Sequence, residues 1–183
     1  MKVVLHCFFL MRILLFLCFL TSLLSVSAQI IDKRYVMHIG TEGTVYHFLP
    51  VKVSSYSINK KMHCTYDMTY NTSEDSIVLN FTVFVETENG IDSLALCSGK
   101  NAVVNSCLDL LYVERAKNSY RYRYTSRFSY ADIMSLFAEK FPLVFTFYGD
   151  ETFECRYTDK KWKKECRMIN EVFNLIRIQK TIQ

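Results

Sequence analysis

The sequence predicts an α+β fold: a mostly antiparallel β-sheet of meanders and hairpins packed against two helices, the longer one C-terminal. Three observations predict it. Apolar and polar residues alternate through most of the region 35–128, and the periodicity changes to helical spacing from Ser129 onward. The chain also carries 12 Tyr and 14 Phe, the aromatic side chains that suit a half-buried pleated surface.

Ahead of that domain stands "MKVVLHCFFLMRILLFLCFLTSLLSVSAQ". Lys2 and Arg12 provide positive charge, 13–20 is an unbroken apolar run, and Val26-Ser27-Ala28 ends it in small residues. This is the pattern of a cleavable signal peptide, with cleavage before Gln29. A retained anchor would need roughly 20 apolar residues in a row; here Arg12 interrupts the run, and Ser and Thr dilute it after Leu20. Residues 29–183 are then a single exported domain, long enough to enclose a substantial core. Removing Lys2 and Arg12 leaves 20 basic against 18 acidic residues. So even a balance predicts no nucleic-acid partner by charge alone. No later apolar stretch is long enough to span a bilayer.

Along the mature chain, "RYVMHIG" alternates and stops at Gly40, and "TVYHFLPVKVSSYSI" is a strand bent at Pro50, because proline cannot donate to a ladder. In "MHCTYDMTY", Met62, Cys64, Tyr66, Met68 and Tyr70 share the dry face. "SIVLNFTVFVET" places Ile77, Leu79, Phe81, Val83 and Val85 on one face, and Asn89-Gly90 then predicts a tight hairpin into "IDSLALC". These three strands form an expected meander. "LDLLYVERA" and "SYRYRYTSRFS" form a further hairpin around Lys117-Asn118.

Ser129 with Asp132 three residues on resembles a capping box and starts the first helix, whose stripe is Ile133, Leu136, Phe137 and Phe141, with Pro142 as its stop. "PLVFTFYGDETFECRYT" turns at Gly149-Asp150 as another hairpin. A long helix over 159–178 follows, with Trp162, Cys166, Ile169, Val172, Phe173 and Ile176 as its apolar stripe. Its lysines, including Lys161 and Lys164, read as a solvated face.

Cys155 lies three residues before the expected strand end, and Cys166 seven residues into the returning helix; each is about 10 Å from the turn. That symmetry predicts a Cys155–Cys166 disulfide in an oxidising compartment. Ten intervening residues do not make a C-x-x-C redox pair. Cys97 and Cys107, flanking a segment able to fold back, are the second expected pair, and Cys64 is left as a buried free thiol. Each of His38, His47 and His63 sits in a strand without ligand spacing, so neither metal nor cofactor is expected.

On "SYRYRYTSRF", Arg121, Arg123 and Arg127 share one face and Tyr120, Tyr122, Tyr124 and Phe128 the other. Alternation separates the charges from the aromatics, which a groove for single-stranded nucleic acid would combine. Asn71-Thr72-Ser73 and Asn80-Phe81-Thr82 match glycosylation sequons.

With an export signal and no assembled catalytic motif, the expectation is a periplasmic or secreted, non-enzymatic domain. It would recognise a protein or envelope component by its surface. Two alternatives stand beside it: an envelope hydrolase without a motif, and a binder of anionic glycan or lipid surfaces through Arg121, Arg123 and Arg127. The intact mass of the exported protein is expected to match a chain starting at Gln29; a mass that still includes Arg12 would identify an anchor instead.

Overall fold

Successive side chains of a strand point to opposite faces, so each alternating run becomes one dry and one wet surface. The computed structural model describes residues 29–31, 34–41, 43–55, 63–86, 88, 90–117 and 119–182. The expected leader, Met62, Asn89 and Asn118 lie outside them. In chain order the elements are β1 (Gln29–Ile31), β2 (Tyr35–Gly40), β3 (Gly43–Ser55), β4 (His63–Asn71), β5 (Ser76–Val85), β6 (Ile91–Ser98), β7 (Asn101–Asn105), β8 (Asp109–Ala116), β9 (Ser119–Ser129), α1 (Tyr130–Ala138), β10 (Val144–Gly149), β11 (Phe153–Arg156) and α2 (Asp159–Ile182). The fold is α+β, as the sequence predicts: a curled, mostly antiparallel sheet with two helices, the longer one C-terminal. Neither described helix is long and apolar enough to cross a membrane.

The sheet runs β7-β6-β10-β11-β3-β4-β5-β9-β8, with β2 paired to β3 and β1 to β2. On β4 the expected dry face holds: Cys64, Tyr66, Met68 and Tyr70 are buried. So does that of β5, from Ile77 through Val85. The curl brings the aromatic rings of β10 onto this surface. Phe145 lies 4.9 Å from Tyr66 and Phe147 lies 5.5 Å from Phe81, centroid to centroid. Two halves of one sheet thus bury each other's inner faces.

This closure corrects the expected meander. β5 has β4 on one edge and β9, in register from Ser76↔Ser129 to Val85↔Tyr120, on the other. No edge remains for β6, which crosses to the opposite half and pairs with β10 and β7. At the crossing, the Ile91 amide donates to the Tyr124 hydroxyl at 2.8 Å. The β8–β9 and β10–β11 hairpins form where the sequence places them.

Ser129 caps α1 by accepting from the Asp132 amide at 3.0 Å, and Ile133, Leu136 and Phe137 are buried. Phe141 is not part of the stripe. The backbone turns extended at Glu139, ahead of Pro142, and leaves Phe141 62 % exposed. Helix α2 begins beyond Thr158, whose carbonyl accepts from the Trp162 amide at 2.9 Å. Its buried line is Trp162, Glu165, Ile169, Val172, Phe173 and Ile176. Trp162 stacks on Phe137 at 5.3 Å, Phe173 packs edge-on against Phe48 and Tyr130, and Tyr46 donates to Gln179 Oε1 at 2.6 Å near the far end. The helix is clamped along its length.

The cysteines depart from expectation. Cys155 is buried beside Phe153 and Tyr157 as the sequence implies, yet all five described cysteines are free. Position 165, not 166, faces the sheet. Cys166 is rotated toward α1, where its Sγ donates to the Phe137 carbonyl at 2.9 Å and accepts from Asn170 at 3.3 Å. The thiol beside Cys155 is Cys64: their strands flank β3, with Cys64 opposite Val53 and Cys155 opposite Ser55. Burial, with Cys155 as hydrogen-bonded neighbour, pushes the Cys64 thiol well up. Cys97 and Cys107 are also unbridged. Cys97 is level with Ala102 on β7, whereas Cys107 lies beyond the end of that strand, where its amide donates to Asn105 Oδ1 at 2.8 Å.

At the end of the β6–β10 ladder a Cβ on Gly149 would lie 2.4 Å from the Gly90 carbonyl oxygen, whereas one on Gly40 meets nothing nearer than 3.6 Å. Gly149→Ala is therefore expected to destabilise the protein by about 1–3 kcal/mol, with Tm falling roughly 2–4 °C per kcal/mol. Gly40→Ala should leave Tm much closer to the native value. Equal thermal melts for the two variants would contradict this close approach of β10 to the start of β6.

Candidate functional site

Proline 50 creates the site. On β3 the register steps from Phe48↔Met68 to Val51↔Tyr66, so Leu49 and Pro50 together oppose Asp67 on β4. Proline has no amide to donate, and a bulge is where a sheet tolerates it. The same region lacks a continuous neighbour on its other edge. β2 covers β3 from Gly43 to Phe48, and β11 rejoins it only at Ser54 and Ser55. Between them the edge is open, and the first turns of α2 lie across the gap.

The result is a cleft of about 360 Å³ lined by Arg34, Leu49, Pro50, Val51, Lys52, Tyr157, Lys161, Lys164, Glu165 and Met168. Arg34 is tied to the bulge through its carbonyl, which accepts from the Leu49 amide at 2.8 Å. Lys161, Lys164, Glu165 and Met168 follow one another at helical spacing, so α2 presents them as a single stripe. Tyr157 reaches back into the core, where its hydroxyl and that of Tyr66 are 2.6 Å apart. Burial pushes both phenols far up, so they remain neutral hydrogen-bonding groups.

Glu165 is the unusual member. It is only 8 % exposed, and among the described residues its ion-pair partner is Arg34 at 3.7 Å, beyond hydrogen-bond distance. Burial raises its carboxyl pKa, and Arg34 and then Lys164 oppose the rise. No carboxylate among the described residues lies within ion-pair distance of Lys52, Lys161 or Lys164. The lining therefore sets four cations against one carboxylate.

The expected arginine face differs. Arg121 pairs with Glu114, Arg123 with Asp67 at 2.7 Å, and Arg127 with Glu74. Arg123 also donates to Thr82, and Asn80 donates to Asp67 at 2.8 Å, a polar network across three strands. Each guanidinium is thus matched by a carboxylate. Both sequon asparagines are engaged: Asn80 in that network, and Asn71 as acceptor for the Ser73 amide.

Nor do the histidines converge. His38 and His47 meet edge-on at 5.5 Å, whereas His63 stacks on Phe84 at 4.3 Å near the other end of β3, opposite Ser54. Burial lowers the pKa of His47 and of His63. No cluster of three potential metal ligands occurs among the described residues. Sequence reasoning missed the cleft because Lys161 and Lys164 are indistinguishable by spacing from other solvated lysines. The available signal was Glu165, a charge three residues after Trp162 and four before Ile169, inside the apolar stripe.

Because the folded chain raises the Glu165 pKa above its ordinary value of about 4.5, the native state holds more protons than the unfolded state between those two values. Its contribution to stability therefore falls as pH climbs through that window. Glu165→Gln should remove this part of the slope when Tm is followed from pH 4 upward in about half-unit steps; an unchanged slope would place the carboxylate in water. No protein-family model, no curated protein and no solved structure matches this chain, and the geometry of the cleft carries its functional reading.

Proposed function

We propose that this chain is an exported, non-enzymatic recognition domain that binds anionic groups in the cleft between the β3 bulge and α2. One observation carries the reading: Arg34, Lys52, Lys161 and Lys164 converge on a single concavity that also offers Leu49, Pro50, Val51 and Met168 as apolar wall. Ligand sites are concave and largely apolar with a few placed polar groups, and about 300–1,000 Å³ is their usual size. Cations converging on a concavity focus their field on an anion more strongly than the same charges spread over an open face. The arginines of β9, matched by carboxylates, support this role less well. Export rests on the leader pattern of residues 1–28.

The competing reading is an envelope hydrolase, favoured by the raised pKa of Glu165, which suits a general acid. Glycoside hydrolysis ordinarily pairs two carboxylates about 5–9.5 Å apart, and Glu165 is the one carboxylate in this lining. Binding is thus the better supported of the two.

Retention of the mature protein on an immobilised sulfated polysaccharide tests the proposal. Lys161→Glu/Lys164→Glu should elute at clearly lower salt than Lys160→Glu/Lys163→Glu, a double variant with the same charge change on the same helix but outside this cleft. Coincident elution of the two would refute the cleft as the binding surface.

A further inference from the structure

We infer that the ligand of this cleft is an acidic saccharide: an anion whose hydroxyl groups donate to Glu165 while its carboxylate or sulfate is held by Lys52, Lys161 and Lys164. The inference rests on the anion-binding reading above and deepens it. Its starting point is that Glu165 is buried, lines the cleft, and among the described residues has no hydrogen bond, with Arg34 standing off at 3.7 Å. An ionised carboxylate accepts and cannot donate. The Glu165 oxygens open into the cleft, where a ligand donor can take the place of water.

A small ligand can bring a cationic donor, such as an ammonium, or a neutral one, such as a hydroxyl or an amide N–H. Charge decides between these two classes, and a sugar ring offers several neutral donors on one rim. The lining carries four cations to one carboxylate, and an ammonium at Glu165 would sit among like charges that repel it. A hydroxyl has no such penalty. The remaining cations then require the same ligand to be anionic. An anion without hydroxyls, conversely, would meet the cations but be repelled by Glu165.

The opposite wall fits the same class. Leu49, Pro50 and Val51 present apolar surface, and a sugar ring offers C–H faces to such a surface while its rim carries hydroxyls. Pro50 holds this wall outward through the bulge, so apolar contact and hydrogen bonding come from opposite sides. Lys161 and Lys164, one helical turn apart, can each reach an acidic group.

Calorimetric titration of the mature protein with trigalacturonate and with tricarballylate, a hydroxyl-free tricarboxylate of the same charge, tests the inference. Wild type should bind trigalacturonate roughly tenfold or more tightly, because its hydroxyls satisfy the buried carboxylate. Glu165→Gln should shift the two probes in opposite directions, weakening trigalacturonate and strengthening tricarballylate as the repulsion disappears. Lys161→Gln/Lys164→Gln should weaken both. Equal wild-type affinities, or strengthening of both probes by Glu165→Gln, would overturn the saccharide assignment while leaving a simple anion site. Absence of any binding that depends on Lys161 and Lys164 would overturn both readings.

Discussion

The contact on which this structure depends is the meeting of the sheet with itself, where Phe145 and Phe147 of β10 lie on Tyr66 and Phe81 of β4 and β5. A strand dry on one face must have that face covered. Here the two helices cover one part of it and the other half of the same sheet covers the rest. Aromatic pairs bury large areas and favour offset or tilted geometries, and the rings here are tilted by about 40° at both contacts. Once β10 is seated, β6 follows it across the fold and β11 returns along β3.

The position of α2 is a consequence. From β11 the chain passes directly through Tyr157, whose hydroxyl meets that of Tyr66 in the core, to Thr158 and the helix start. A hydrogen bond in so dry a place is strong and costly to break, and it anchors the helix origin. Trp162 against Phe137 and Phe173 against Phe48 and Tyr130 then set its direction and rotation. That rotation puts Lys161, Lys164 and Glu165 over the open edge of β3. The cleft is thus a product of two independent local features, a proline bulge and a helix phase.

The same rotation governs the sulfur chemistry. A turn of one residue along a helix is about 100°, enough to move a side chain from one neighbour to another. It directs Cys166 at the backbone of α1 rather than at Cys155, and it brings Glu165 inward in its place. Helix α2 is held over the hairpin by packing and hydrogen bonds rather than by a bridge to Cys155. The arginines of β9 show the complementary case: Arg121 finds Glu114 on the adjacent β8, Arg123 reaches across β5 to Asp67 on β4, and Arg127 meets Glu74 in the β4–β5 turn, so the outer surface is locally neutral.

Much of this was legible in the chain. Alternation of period two identified the dry faces of β4, β5 and β9, turn residues located the β8–β9 and β10–β11 hairpins, and Ser129 marked the start of α1. These are local properties, determined by steric alternation and by hydrogen bonds between residues close in sequence. What tertiary structure alone decided is which edges pair and how each helix is turned. Asn89-Gly90 looks like a hairpin by itself, but β9 already occupies the edge that β6 would need. Cys166 looks inward by spacing, but the shape of the partner surface sets the helix phase. Lys52, from β3, and Lys161, from α2, are 109 positions apart in sequence, and only the curl of the sheet places them around one opening.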